Sequence, residues 1–162
     1  LKTNEEVYRV FLALSQDVSG RLRDNGLTAS GIQVTVRDNE LNFSQFQDKT
    51  SYPIQSSLSL AEVAKNLFTK NYRWNNYIRA LSVRAINLNT EDMPFQLDMF
   101  NSYERQIKSE AADKAVYQIR KRFGKNSITM ATLLEETKMP GKYNSICSFR
   151  DKACIQQSET AV

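Results

Sequence analysis

Residues 31–37 read Gly-Ile-Gln-Val-Thr-Val-Arg. Apolar Ile32, Val34 and Val36 alternate with polar Gln33, Thr35 and Arg37, the two-residue period of a strand that buries one face and leaves the other in water. The buried face needs a cover, and the flanking sequence contains one. Upstream, Thr3 followed by Glu6 forms a capping box, and Val7, Val10, Phe11, Leu14, Val18 and Leu22 share one stripe at helical spacing. That helix is expected to run to about Asn25 and stop at Gly26. Downstream, Asp38-Asn39 suits a turn into a second strand that starts Leu41-Asn42-Phe43. Phe46 breaks its period, so a bulge or irregular middle is expected before Pro53. Ser59 and Glu62 form a second capping box ahead of Leu60, Val63, Ala64, Leu67, Phe68 and Tyr72, a helix over about 60–72. A third strand covers Ile78 to Leu88, with Leu81, Val83 and Ala85 on one side and Ala80, Ser82 and Arg84 on the other. The order helix, strand, strand, helix, strand implies an α+β sandwich, an antiparallel sheet with two helices on one face.

Beyond Pro94 comes Phe95-Gln96-Leu97-Asp98-Met99-Phe100, then a polar helix from about Ser102 to Phe123 closed by Gly124. Its apolar positions, Tyr103, Ile107, Ala111, Ala115, Val116, Ile119 and Phe123, make a thin stripe suited to docking. Ser127 to Thr137 is expected to add a short helix, and Lys138 onward a loop or tail. Charge divides unevenly: residues 1–100 carry 11 basic and 11 acidic groups, and residues 101–162 carry 11 and 7. The excess ends in Arg120, Lys121, Arg122 and Lys125, which on charge alone reads as a solvated helix face before it reads as a phosphate track.

Composition narrows the chemistry. The chain has 162 residues, 41% hydrophobic and 25% charged with a formal net charge of +4, enough for one domain with its own core plus a tail. It has no histidine, which removes the commonest general base, the Ser-His-Asp and Cys-His dyads and the two-His metal sites. A small hydrolase is therefore disfavoured. None of the five glycines falls into a G-x-G-x-x-G or Walker spacing. Cys147 and Cys154 suit neither a C-x-x-C motif nor a zinc set and are expected as free thiols of a reducing compartment. No apolar run approaches the roughly 20 residues of a membrane span, and no signal sequence is visible, so a cytoplasmic protein without membrane contact is expected. The start at Leu1, without an initiator methionine, is expected of a fragment or a trimmed end.

Three stretches together carry a family resemblance: Val18 to Leu27 (VSGRLRDNGL), the strand GIQVTVR ending at Arg37, and Trp74 to Leu88 (WNNYIRALSVRAINL). They resemble the little-finger domain of Y-family translesion DNA polymerases, in the bacterial polymerase IV and Gram-positive UmuC-like branch. The segment AVYQIRKRFGKNSI is similar to the C-terminal helix of Gram-positive members. The resemblance covers about residues 1–125 and implies a β-α-β-β-α-β fold with its sheet toward the DNA. All elements but the first strand are readable here. Without that strand, the Ile78 to Leu88 strand would expose an edge for pairing with another chain or a second copy. The implied organisation is a little-finger domain over 1–92, a clamp-binding linker over 93–101, a C-terminal helical extension over 102–137 and a tail over 138–162.

The resemblance implies a DNA-directed DNA polymerase acting in DNA repair under the SOS response. The catalytic carboxylates and their magnesium would belong to a palm domain before residue 1. No catalytic or metal-binding residue and no cofactor is assigned within this chain, whose Asp24, Asp38, Asp48, Asp92 and Asp98 lie at turns and ends. Its own expected partner is duplex primer–template DNA, held without reading bases, through phosphates. By strand parity Arg37 and Arg84 project opposite Val36 and Val83 and are the leading phosphate ligands. Arg79, whose parity matches Leu81, is the weaker candidate. In the second strand, where many relatives carry an arginine-serine-rich run, Asp48-Lys49-Thr50-Ser51 offers only Lys49 as a base, with Thr50 and backbone amides beside it. Trp74, before a strand, is expected to pack and not to stack on bases.

Gln96-Leu97-Asp98-Met99-Phe100 resembles the bacterial sliding-clamp-binding pentapeptide, with methionine in the fourth place. Gln96 would hydrogen-bond while Leu97, Met99 and Phe100 enter an apolar groove. The alternative for these side chains is packing into the domain's own core. The alternative for the whole chain is a free-standing DNA-binding adapter or regulator with this fold and no polymerase activity.

Overall fold

The computed structural model describes residues 1–91, 103–124 and 127–134, the side chains of 103–108 excepted. Its elements are α1 (Asn4–Asp24), β1 (Leu27–Asp38), β2 (Phe43–Ile54), α2 (Ser57–Asn71), β3 (Ile78–Thr90), α3 (Tyr103–Phe123) and a 3-10 turn over Ala131–Leu133. The three strands form one antiparallel sheet in the order β2-β1-β3. This is the expected α+β arrangement.

α1 starts where its capping box places it. Thr3 Oγ1 accepts from Glu6 N–H at 3.2 Å, and Glu6 Oε2 accepts from Lys2 N–H at 2.7 Å, one residue earlier than the usual box. Gly26, at φ 61°, turns the chain into β1 in the left-handed region that glycine enters without cost. Val7, Phe11 and Leu22 of α1 and Leu60, Ala64, Leu67 and Phe68 of α2 close over Ile32, Val34 and Val36 of β1. Phe11 and Phe68 are fully buried and meet edge to face at 5.8 Å. Each fully buried side chain of this size contributes about 1.5–3 kcal/mol relative to exposure, so this layer carries the stability of the sandwich. Buried Gln55 ties the joints together: its C=O accepts from Ser19 Oγ at 2.6 Å, and its Nε2 donates to Leu27 C=O at 2.9 Å and to the Glu91 carboxylate.

The irregularity expected in β2 before Pro53 is present, since Ala29 pairs with Ile54 but Gly31 with Lys49 and residues 50–53 bulge, whereas Phe46, expected to break the period, pairs in register with Val34 on the core side. Phe43 is the residue out of pattern, 65% exposed on the far face. α2 starts at Ser57 with Ser56 as its N-cap, not at the Ser59–Glu62 box. Ser56 makes no cap bond of its own; instead the Asp113 carboxylate on α3 accepts from Ser57 N–H at 2.6 Å, Ser56 Oγ at 2.7 Å and Ser57 Oγ at 3.1 Å. α3 docks through polar groups, with Tyr117 donating to Asp24 and Arg120 to Gln16, while Phe123 at the end of its apolar stripe is 66% exposed.

The edge expectation has a partial answer at Leu1. Its ammonium donates to Ile78 C=O at 2.6 Å and its C=O accepts from Ile78 N–H at 3.1 Å, the reciprocal exchange of a closely bonded antiparallel pair. Beyond Ile78 the outer edge of β3 has no strand partner among the described residues. The clamp-like segment 96–100, the end of the 127–137 segment and the cysteine-bearing tail lie outside them.

Candidate nucleic-acid interface

Both helices of the sandwich cover one side of the sheet, so the other side is built entirely from residues of opposite parity. Register arranges them in rows across β2, β1 and β3: Phe43–Arg37–Ala80, Gln45–Thr35–Ser82, Gln47–Gln33–Arg84 and Lys49–Gly31–Ile86. Arg37, Lys49 and Arg84 therefore share one face, and no carboxylate stands on it. The outermost rows are six residues apart along β1, about 20 Å at about 3.3 Å per residue. That length matches roughly six base-pair steps of a duplex.

Neutral hydrogen-bonding side chains fill the space between the cations. Gln33 Nε2 donates to Gln47 Oε1 at 3.2 Å, an amide bridge across β1 and β2. The sequence reading placed Ser82 beside Arg84 but missed Gln45 and Gln47 as parts of this face; the parity of β2 becomes visible only once Phe46 is known to point toward the core. Gly31 leaves a notch in the last row. A Cβ there would lie 2.9 Å from Ile86 Cγ1 and 3.0 Å from the Asp48 carbonyl oxygen, so close approach of β2 and β3 side groups requires glycine.

The remaining sequence candidates divide. Asp48 faces away from the interface, and its Oδ1 accepts from Lys49 N–H at 2.8 Å. Thr50 sits in the bulge with its hydroxyl donating to Tyr52 C=O at 2.7 Å, so it is turned into the strand's own backbone. Arg79 is the extra residue of a second irregularity, where Arg37 pairs with Ala80 but Asp38 with Ile78; it is exposed at the strand's start and outside the rows. Arg120 belongs to a different layer. Its guanidinium donates to Ile128 C=O at 3.0 and 2.7 Å and to Gln16 Oε1 at 3.1 Å, fastening the segment ahead of the 3-10 turn and α1 to α3.

The turn that ends the interface is held by Asp38. Its carboxylate accepts from Asn42 N–H at 2.8 Å, Asn42 Nδ2 at 2.9 Å and Asn76 Nδ2 at 3.1 Å. These donors, the Asn42 side chain foremost, hold the carboxyl below the ordinary carboxylate range although burial opposes them. Leu41 takes φ 72° to close the turn. Trp74 packs edge to face with Phe68 at 5.9 Å and with Tyr72 at 5.7 Å and keeps part of its ring open to solvent. Among the described residues no three His, Cys, Asp or Glu side chains come together to hold a metal ion. No helix of the described residues is long and apolar enough to cross a membrane.

The profile of the impB/mucB/samB family C-terminal domain matches residues 1–99. The chain is 30% identical over 136 residues to a DNA polymerase IV of Acetivibrio thermocellus, covering 84% of this chain and 34% of that protein. It is 27% identical over 137 residues to a DNA polymerase IV of Clostridium acetobutylicum, with the same shares of 84% and 34%. A DNA polymerase IV 1 of Halalkalibacterium halodurans is 30% identical over 126 residues, 76% of this chain and 30% of that protein. The chain thus spans about a third of the length of the curated relatives it matches.

Proposed function

The chain belongs to the impB/mucB/samB family as a Y-family polymerase C-terminal domain, and on that premise we propose that it holds primer–template duplex for a translesion DNA polymerase. The observation that carries this reading is the acid-free sheet face on which Arg37, Lys49 and Arg84 stand in register. Cations spaced over about 20 Å of a stiff sheet suit a phosphate backbone, and the glutamine, serine and threonine side chains between them suit sugar and phosphate oxygens. A grip of this kind ignores sequence, which is what an enzyme moving along a damaged template needs.

The parent protein would be a DNA-directed polymerase whose magnesium and catalytic carboxylates lie in another domain, acting in the cytoplasm in DNA repair and the SOS response. Residues 1–92 would form the gripping domain, 93–101 a linker whose Gln96, Leu97, Asp98, Met99 and Phe100 bind the sliding clamp, 102–137 a helical extension and 138–162 a tail. The outer edge of β3 is the proposed place for a further strand or a second copy. The test is duplex binding across a salt series: affinity independent of sequence, falling linearly on a log–log plot, supports the grip. Sequence-selective binding insensitive to salt overturns it.

A further inference from the structure

At the end of the sheet nearest Arg37, the β1–β2 turn, the start of α1 and the loop before β3 border an open cleft of about 560 Å³. That volume is within the range of small-ligand sites. Its walls are chemically particular. Trp74 and Tyr77 present aromatic surface, 37% and 57% exposed. Asn39 and Asn75 contribute carboxamides, and Lys2 is the one charged residue of the lining.

The cleft is also built firmly. Asn39 N–H donates to Tyr77 C=O at 2.9 Å, joining two walls, and Trp74 Nε1 donates to Asn4 Oδ1 at 2.8 Å. Asn76 Nδ2 reaches the buried Asp38 carboxylate, so the loop before β3 is tied to the turn opposite. Lys2 Nζ lies over the Tyr77 ring, 4.7 Å from its centre, and brings a positive charge to the lining.

We propose that this cleft binds an unpaired nucleotide of the DNA held on the sheet. Aromatic walls suit a flat base, which stacks whatever its identity. Carboxamides both donate and accept, as base edges do, and a lone ammonium among neutral groups suits one phosphate. Placement supports the same ligand. Asn39, on the wall of the cleft, follows Arg37 by two residues. A strand leaving the duplex past Arg37 therefore meets the cleft within about 7 Å. The inference rests on the sheet reading for its source of DNA, while the cleft's chemistry is independent of it.

The test uses the single tryptophan of the chain as the reporter, because Trp74 is itself a wall. A labelled blunt duplex and the same duplex with a single-stranded tail are titrated with the whole chain, following anisotropy and Trp74 emission together. The expected result is tighter binding of the tailed duplex by at least about fivefold, the lower end of what one stacked base contributes, with quenching of Trp74. Tyr77→Ala and Asn75→Ala should each reduce that preference and the quenching, while blunt-duplex affinity and melting temperature stay unchanged. Equal affinity for both duplexes with unchanged emission overturns the cleft and leaves the sheet grip standing. Failure to bind either duplex overturns the sheet grip. Thymidine monophosphate then decides the cleft alone, since quenching abolished by Tyr77→Ala supports it and unchanged emission up to millimolar nucleotide refutes it.

Discussion

The carboxylate of Asp113 accepts a 2.6 Å hydrogen bond from the backbone N–H of Ser57, so α2 is capped by a side chain of α3. The first turn of a helix leaves N–H groups without intrahelical partners, and a carboxylate there also meets the positive end of the helix dipole. α3, in which Ile119 and Phe123 are exposed, is thereby tied to the sandwich by polar bonds. Asp113→Ala should lower the stability of the domain by about 1 kcal/mol, in the range of lost N-caps, read by chemical denaturation. An unchanged midpoint would show that α3 is dispensable to α2.

Position on the sheet, and not charge alone, should decide which arginines hold DNA. Arg84→Ala and Arg37→Ala are each expected to weaken duplex binding about equally on all sequences and to reduce the log–log salt slope by about 1. Arg120→Ala removes three internal hydrogen bonds instead. It should lower the melting temperature and leave the slope unchanged. A slope reduced by Arg120→Ala as much as by Arg84→Ala would contradict the assignment of layers.

The notch at Gly31 is a packing requirement of the interface. With Asp48 backbone oxygen 3.0 Å from the site of a Cβ, Gly31→Ala forces a backbone shift between strands. A loss of about 1–3 kcal/mol is expected, as for other overpacked sites. A melting temperature equal to that of the unaltered chain would mean the strands can part without cost.

Stability should depend on pH at both extremes, for opposite reasons. The Asp38 carboxyl is lowered in the fold, so its contribution is complete above its unfolded value, about 3.9, and is lost as pH falls through the lowered folded value. Asp38→Asn should flatten that acid limb. The Tyr117 phenol is raised, chiefly by its hydrogen bond to Asp24. Its contribution is complete below about pH 10 and is lost as pH rises through the folded value, and Tyr117→Phe should remove that alkaline limb. Acid and alkaline limbs unaltered in the two variants would exclude these groups as the cause.

The proposed clamp tether is testable apart from the grip. Leu97→Ala with Phe100→Ala should abolish binding to a bacterial sliding clamp in surface plasmon resonance, each apolar anchor counting for about 2 kcal/mol or more. Gln96→Ala should cost less. Duplex affinity and melting temperature should not move. A large drop in melting temperature would instead place these side chains in the domain's own core.

Much of this architecture is legible in the chain because its causes are local. The Thr3–Glu6 box, the stripe from Val7 to Leu22 and the stop at Gly26 all act within a few residues, and α1 forms where they place it. The alternation from Ile32 to Arg37 and from Leu81 to Ala85 puts Arg37 and Arg84 opposite the core before any contact is known, because a period of two is a property of the strand itself. Less of the candidate interface could be read: Lys49 shares the face, Thr50 turns inward, and Arg79 falls at an irregularity that parity arguments cannot foresee.

What only the tertiary structure decided are choices made between distant groups. Ser59 carries a sound local capping signal, yet Ser56 and Ser57 begin α2 because Asp113, more than fifty residues away in sequence, accepts their hydrogen bonds. Arg120 reads as part of a basic run and is committed to Gln16 and Ile128. Phe46 reads as the break in β2 yet packs, partly buried, against the core, because pairing with Val34 sets its side of the sheet and leaves Phe43 outside. Sequence periodicity determined which faces exist; cross-chain hydrogen bonds and strand register, which depend on where the backbone returns in space, decided which polar groups were left free on the open one.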